Sequence, residues 1–398
     1  MHKCKTNNNE IITYVIVLLM QFFTRISWGY LLFYAITLFM LMRIGFHIPI
    51  SLIKNYYWLF VLPNVIILVH AFTTIFVYHQ TFFIMRSINN FMFIFSCIIF
   101  TACIFSIHKE KSLKILLNAI LTYYLFQMGE ALLSVGVGTF LSNVIKPGTE
   151  VLTKWLEQHD IGLSLGLIII YYIYFFKGRK KERKKYLFLS IIVFLYCSKR
   201  IAIGGLIAVI VFRFFYRRKI DKRGKLTLLW GLTGVALCLG FVYLVSNESI
   251  TGWLWNHGIN TMGRTNIYRT FRPYYELNPL FYGRGSGFTS KLMSIWVGTD
   301  QKLGGILALH SDILRAFIEY GFIGSILWYS YYLIILPRRI AKKNERYSEV
   351  VFLIALYAFI VYLTDNTSNY MLFQTFFMLI PLCAEAIQEK NKLTLSLL

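Results

Sequence analysis

The chain has 398 residues, of which 57% are hydrophobic, 18% aromatic and only 15% charged. A soluble domain of this size could not bury so much apolar surface in one core, so the composition excludes a soluble globular enzyme. The formal net charge of +23 would suit nucleic-acid binding, but lysine and arginine also collect in the cytoplasmic loops of membrane proteins. Because the basic clusters lie between apolar segments, we expect no nucleic-acid partner.

Taken in chain order, long continuous apolar segments predict membrane-spanning helices rather than alternating strands. They lie at 10–24, 27–42, 56–78, 88–107, 113–134, 161–176, 186–197, 201–215, 226–245, 311–336, 349–364 and 370–387. The predicted fold class is therefore an all-α integral membrane protein, a polytopic bundle of about 12 transmembrane helices in a lipid bilayer.

The lysine and arginine clusters predict the orientation of these spans. They lie in the loops at 43–55, 108–112, 177–185, 216–225 and 337–348. With both termini in the cytoplasm, all of these loops fall inside, which agrees with the known excess of positive charge there. The domains expected are membrane helices at 1–245, one large extracytoplasmic loop at 246–310, and membrane helices with a cytoplasmic tail at 311–398.

Neither a disulfide nor a metal site is expected. The cysteines lie almost entirely in apolar runs and show no Cys-x-x-Cys spacing. The chain also contains no Asp-x-Asp pair of the kind that would hold a metal with a sugar nucleotide. The prediction is accordingly a protein without cofactor.

Four short stretches carry the chemical signal. They are Ser198-Lys199-Arg200, then Gly263-Arg264 with Tyr268 and Arg269, then Pro279 to Phe288 with Gly283, Arg284, Gly285 and Gly287, and last His310-Ser311-Asp312 with Gly321 and Gly324. Arginine forks bind phosphate oxygens in pairs, and glycine turns can present successive N–H groups to an anion. An interfacial histidine can take up a proton. Together they suggest an anion and a polar acceptor at a membrane surface.

Each stretch alone also has a simpler interpretation. The glycines lack the strand-to-helix context of a nucleotide-binding loop and would be read as a flexible loop. Arg264, Arg269, Arg272 and Arg284 would be solvated or anchoring residues, and His310 a residue at a helix start. The tyrosines and tryptophans of the loop would form an interfacial aromatic belt.

In combination and order, the four stretches resemble the O-antigen polymerase and ligase family. The matching elements are the Ser198-Lys199-Arg200 segment, Gly263-Arg264 with Tyr268, the Pro279–Gly287 element, and the closing signature of His310, Ser311, Leu314, Gly321 and Gly324. The resemblance covers about 198–324, and outside it the chain matches only as a series of membrane spans.

The resemblance implies glycosyl transfer without a metal at the outer face of the bacterial cytoplasmic membrane. The substrates would be glycans on undecaprenyl diphosphate, with Arg200 and Arg264 holding the donor diphosphate and His310 serving as base. Further substrate-binding candidates are Lys199, Tyr268, Arg269, Arg272, Arg284, Gly283, Gly285, Gly287 and Asp312. A flippase and chain-length regulators are candidate protein partners.

The expected product is a surface polysaccharide such as capsule, made by a polymerase of the Wzy type with inversion at the anomeric carbon. Two alternatives stay open. A ligase that moves finished glycan to another acceptor would share every motif. A flippase or transporter would make no bond, but such proteins tend to contain internal repeats, and this chain has no evident internal symmetry.

Overall fold

The structure, a computed structural model, describes residues 2–23, 29–48, 69, 72, 76, 84–145, 152, 155–176, 178–197, 200–217, 223–257, 264–296, 309–341 and 345–396. Within these ranges every regular element is helical. The expectation of an all-α protein is confirmed at this level.

The helices follow the chain from α1 to α16. They are α1 (His2–Phe23), α2 (Gly29–Arg43), α3 (Ile84–His108), α4 (Ser112–Val135), α5 (Val137–Ile145), α6 (His159–Tyr174), α7 (Lys180–Tyr196), α8 (Arg200–Arg217), α9 (Arg223–Ser246), α10 (Ser249–Asn256), α11 (Arg264–Phe271), α12 (Phe288–Trp296), α13 (Asp312–Ser330), α14 (Leu336–Ala341), α15 (Glu345–Tyr362) and α16 (Met371–Ser396). A π-helical turn, Tyr331–Ile335, joins α13 to α14.

The chain forms two compact units, each assembled from separate stretches of sequence. Unit 1 contains 1–56, 96–211 and 370–398, and unit 2 contains 57–95 and 212–369. The predicted division at 245 and 310 stays a prediction.

Helix α6 forms the centre of unit 1, where it packs against α7 and α16. All of its residues from Ile161 to Tyr172 are buried. Close packing with α7 requires a glycine, since a Cβ at Gly162 would lie 2.6 Å from the Cβ of Cys197. Helix α4 packs against α1 and ends at Gly136, whose φ of 77° is one that L side chains rarely adopt.

Helices α9 and α13 pack against each other in unit 2. Two glycines on α9 allow the π turn to approach closely, because a Cβ at Gly231 would lie 2.6 Å from the carbonyl oxygen of Leu333. Gly234 faces the same leucine side chain. An ion pair between Arg213 and Glu349, 2.9 Å from Nε to Oε1, joins α8 to α15.

Among the described residues, three helical stretches are long and apolar enough to cross a membrane: Ile88–Val135, Thr227–Ser246 and Asp312–Arg339. The first is 48 residues long, which at 1.5 Å per residue is more than twice the roughly 30 Å of a bilayer core. A 3₁₀ turn at Lys109–Lys111, with Lys109 at φ 48°, interrupts it between α3, which has 25 residues and begins earlier at Ile84, and α4, which has 24 residues. Each of these is long enough for one crossing.

Shorter apolar helices lie at Asn8–Phe22, Gly29–Arg43, His159–Tyr174, Ser348–Tyr362 and Met371–Ala386. Helices therefore occur at the predicted spans wherever the structure describes them. The span predicted at 56–78 falls outside the described residues apart from three isolated positions. The number of twelve spans stays a prediction.

Candidate active site

Helix α11 places two of the predicted residues side by side. Arg264 and Tyr268 are four positions apart, so they share one face of this helix. Ile267 and Phe271, three and seven positions after Arg264, lie on the same face and are completely buried. The Nε atom of Arg264 is also buried and has no hydrogen-bond partner among the residues that the structure describes. This donor is therefore free to meet a ligand.

The Tyr268 hydroxyl connects α11 to the start of α13. It donates to the carbonyl oxygen of His310 at 3.2 Å. Burial raises the pKa of Tyr268, and the Asp365 carboxylate acts in the same direction, while Arg264 and a hydrogen bond with Ser311 act against it. The hydroxyl consequently stays protonated and keeps its role as donor.

His310 has an unusual backbone conformation for a residue with a side chain. Its φ is 52°, in the left-handed region, where a non-glycine residue stores about 1–3 kcal/mol of strain. The next residue, Ser311, caps α13 by accepting a hydrogen bond from the N–H of Leu314 at 3.2 Å. The imidazole is partly exposed, although its Nδ1 atom is buried. Such strain persists only where the surroundings hold it, and it is common at functional residues.

The Pro279–Gly287 segment, called here the glycine element, docks onto a break in α13. Gly321 has φ 71° and ψ −171°, which interrupts the helix. The interruption frees the carbonyls of Ile318 and Glu319, which accept from the N–H groups of Arg284 at 2.8 Å and Gly285 at 2.9 Å. Since both N–H groups are used, they form no anion nest of the kind expected from the sequence.

The same close contact explains why both the glycine element and α13 have glycines where they meet. Gly283, Gly285 and Gly287 have φ values of 86°, 92° and 86°. A Cβ at Gly283 would lie 2.4 Å from the N atom of Gly321. The three glycines thus have a structural role here, and their contact with substrate stays a prediction without support from these hydrogen bonds.

Glu319 is a buried carboxylate for which the sequence analysis predicted no role. Its Oε1 accepts from Thr289, at 3.1 Å from the backbone N–H and 2.5 Å from the hydroxyl. Thr289 is in the first turn of α12, where backbone N–H groups lack helical partners and a negative charge is favourable. The glutamate therefore holds the end of the glycine element against α13. No local pattern could reveal this, because the partners are 30 residues apart.

Three of the loop arginines have protein partners. Arg269 forms an ion pair with Glu248 at 2.9 Å, and both side chains are half exposed. Arg272 donates to the carbonyls of Ser246 at 2.9 Å and Tyr275 at 3.0 Å, and Arg284 donates to the carbonyl of Tyr274 at 2.8 Å. Their predicted contacts with diphosphate stay predictions, and the geometry favours a role in holding the loop.

Asp312 was expected to bind substrate, and that role stays a prediction. Its side chain is completely buried, and it accepts from the N–H and hydroxyl of Ser368 at 2.8 and 2.6 Å. Arg315 lies 3.1 Å away. These partners engage both carboxylate oxygens, which argues against direct contact with substrate and favours a role within the protein.

The first predicted stretch belongs to unit 1. Arg200 is the first residue of α8 and is exposed. Lys199 and Ser198 lie outside the described residues, as does Gly263. A joint role of Arg200 with Arg264 stays a prediction.

One polar segment was undervalued in the sequence. The turn from Asp365 to Asn369, between α15 and α16, received no role in the sequence analysis. Four of its five residues are buried, and it contacts the start of α13 through Asp312. An aspartate and two asparagines between apolar spans were a usable signal, since buried polar groups near a membrane tend to be functional or structural.

Comparison with known proteins identifies the central part of the chain. Residues 186–329 match the Wzy_C family model, which is described as O-antigen ligase. No curated protein matches the chain. The matched segment includes Arg200, Arg264, Tyr268 and His310, so the resemblance expected from the motifs is confirmed.

Proposed function

We propose that the chain is a polysaccharide polymerase of the O-antigen polymerase and ligase family, because its residues 186–329 match the O-antigen ligase family model. It would join undecaprenyl-diphosphate-linked repeat units at the outer face of the bacterial cytoplasmic membrane. The observation that carries this proposal is the connection of Arg264, Tyr268 and His310 within the matched segment.

The proposed reaction is a single displacement at the anomeric carbon of the donor glycan. A sugar hydroxyl of the acceptor attacks this carbon, and the bond from the carbon to the diphosphate oxygen breaks. His310 accepts the hydroxyl proton, a contribution of about 10²–10⁴-fold in rate for a general base. The electron pair leaves with undecaprenyl diphosphate, and the configuration inverts.

Arg264 is suited to the leaving group. A leaving diphosphate gains negative charge, and a fixed guanidinium stabilises that charge without reorganisation. The buried Nε of Arg264 lacks a protein partner among the described residues, whereas Arg272 and Arg284 donate to backbone carbonyls. The family resemblance adds Arg200 as a second cation for the same diphosphate.

Ligation is the second candidate, and the description of the matched family model favours it. A ligase uses the same donor and the same leaving group, and only its acceptor differs. The two functions therefore differ in what the protein does with lipid-linked repeats alone: a polymerase elongates them, and a ligase leaves them unchanged.

The test uses the full-length protein in nanodiscs. Lipid-linked repeat units are extracted from the host strain in which this gene has been deleted, and products are separated by gel electrophoresis. Wild-type protein is expected to produce a ladder of longer glycans, and His310→Ala and Arg264→Ala are expected to lose at least 100-fold of the rate.

Two matched variants serve as controls. His257→Ala removes a histidine that stacks on Trp253 in α10, and Arg183→Ala removes an exposed arginine of α7. Both are expected to keep the wild-type ladder. Wild-type rates in His310→Ala or Arg264→Ala would refute the mechanism, and a missing ladder with transfer to an added acceptor would identify a ligase.

A further inference from the structure

The segment that follows His310 is attached to the turn at 365–369 by a buried cluster of polar contacts. The N–H of Asp312 donates to the carbonyl of Asp365 at 3.2 Å. The Asp312 carboxylate accepts both the N–H and the hydroxyl of Ser368. One residue earlier, the Ser311 hydroxyl donates to the carbonyl of Tyr362 at 3.3 Å.

Arg315 completes this cluster from the next turn of α13. One arm of its guanidinium donates to Oδ1 of Asn369 at 2.8 Å. The other arm donates to the Ser368 hydroxyl and lies 3.1 Å from Oδ1 of Asp312. We call Asp312, Arg315, Ser368 and Asn369 the α13 clamp.

The clamp lies two residues from a strained backbone. Left-handed φ at His310 is unfavourable for a residue with a Cβ, so the chain on both sides must hold it. At His310 itself, the Tyr268 hydroxyl holds the carbonyl oxygen by a hydrogen bond. On the C-terminal side of His310, the clamp fixes the first turn of α13. The histidine backbone therefore has little freedom to relax.

Stability alone gives a poor reason for this arrangement. A buried ion pair gains little over apolar residues of the same volume, because both charges must lose their water. The Arg315 guanidinium contacts three partners at once, Asn369, Ser368 and Asp312. A planar fork held in this way fixes a precise geometry, and that is the better explanation for the cluster.

We propose that Asp312 and Arg315 are positioning residues that hold the imidazole of His310 in its working place, an inference that rests on the proposed function. They act through the backbone of α13 and touch no reacting atom. Loss of the clamp allows His310 to leave the left-handed conformation. Because a displacement of about 1 Å can cost about 100-fold in rate, kcat falls by that order.

The binding of the lipid-linked donor is affected much less. Arg264 belongs to α11 and contacts none of the clamp residues through a hydrogen bond in the described structure. The KM for donor should therefore stay within about threefold of wild type, since the diphosphate contact is unchanged. A split between kcat and KM is the signature of a positioning role.

The experiment compares Asp312→Asn, Arg315→Gln and the double variant that carries both changes. Each single variant leaves one buried charge without its counterpart, so its melting temperature should fall. The double variant removes both charges with side chains of similar shape, and its melting temperature should recover most of the loss. Its kcat should nevertheless stay about 100-fold low, because the fork to Asn369 and Ser368 is absent.

The matched control is another largely buried ion pair of unit 2, Arg213 with Glu349. Arg213 and Glu349 are also mostly buried, at 17% and 13% side-chain exposure. The double variant Arg213→Gln with Glu349→Gln should keep the wild-type kcat. If it loses as much rate as the clamp variant, the effect is a general one of removing an ion pair, and the proposal fails.

Two further outcomes distinguish a failure of the clamp proposal from a failure of the proposed function. A double clamp variant that regains the wild-type kcat together with its stability overturns the positioning role. If His310→Ala is inactive in that case, the proposed function survives and only the clamp hypothesis is lost. If His310→Ala is itself fully active, the assignment of the base is wrong, and the clamp has no imidazole to position.

Discussion

Replacing Gly321 with alanine is expected to destabilise the protein severely. Gly321 has φ 71° and ψ −171°, a backbone region that only glycine adopts readily. An added Cβ would lie 2.3 Å from the carbonyl oxygen of Phe281 and 2.5 Å from the N atom of Gly283. All of these neighbours are backbone atoms, so no side chain can move aside to relieve the contact.

The magnitude follows from what the helix break holds together. Backbone strain contributes about 1–3 kcal/mol. The clash would also separate the two segments and remove three hydrogen bonds, from Arg284 and Gly285 to α13 and from Phe322 to Phe281, each contributing about 0.5–1.5 kcal/mol. The expected loss of about 3–7 kcal/mol is a large fraction of the usual 5–15 kcal/mol of a folded protein.

The structure provides a convenient assay for this loss. Cys97, Cys103, Cys197, Cys238 and Cys383 are all buried, so a thiol-reactive dye labels them only on unfolding. In a Cys4→Ser background, which removes the thiol at the N-terminus, the midpoint of labelling on heating should fall on the order of 10 °C for Gly321→Ala.

Gly240→Ala is the matched control for the assay. Gly240 lies within α9 in the same unit, and a Cβ there would meet nothing within 4 Å. Alanine is favoured over glycine inside a helix by about 1 kcal/mol, so the midpoint should stay or rise slightly. Equal midpoints for Gly321→Ala and Gly240→Ala would refute the close approach of the glycine element to α13.

Two further changes test neighbouring parts of the structure. Tyr268→Phe removes the hydroxyl that donates to the His310 carbonyl. The free energy of unfolding should fall by about 1–3 kcal/mol, and the rate of glycan elongation should fall as well. An unchanged rate would show that this hydrogen bond does not contribute to the reaction. Gly162→Ala in unit 1 places a Cβ 2.6 Å from that of Cys197, and the overpacking should cost about 1–3 kcal/mol, measured by the same thiol labelling. A midpoint equal to wild type would mean that α6 and α7 separate without cost.

Hydropathy predicted the helices well for a physical reason. Within a bilayer each backbone polar group must be satisfied inside its own segment, so a long apolar run has little choice but a helix. The span expected at 113–134 is the helix Ser112–Val135, and the one expected at 161–176 is His159–Tyr174. Neither prediction required knowledge of any other part of the chain.

The break in α13 shows where this reasoning ends. A continuous span was expected at 311–336, yet Gly321 interrupts the helix. The freed carbonyls are satisfied by N–H groups about 35 residues earlier in the chain. Hydropathy averages over neighbours in sequence, so it cannot detect an interruption whose compensation comes from a distant loop. The glycines of both elements were recognised as special, but the sequence suggested an anion as their partner rather than each other.

The arginines illustrate the same limit for the site. A phosphate oxygen and an unpaired backbone carbonyl both accept hydrogen bonds from a guanidinium, so the sequence cannot tell which of them an arginine meets. Arg272 satisfies the carbonyl of Ser246 at the end of α9, where helical carbonyls lack partners. Arg284 does the same for Tyr274. Once these are assigned to the protein itself, Arg264 is the loop arginine whose buried Nε has no such acceptor within the described residues, and a diphosphate is the acceptor that the family chemistry supplies.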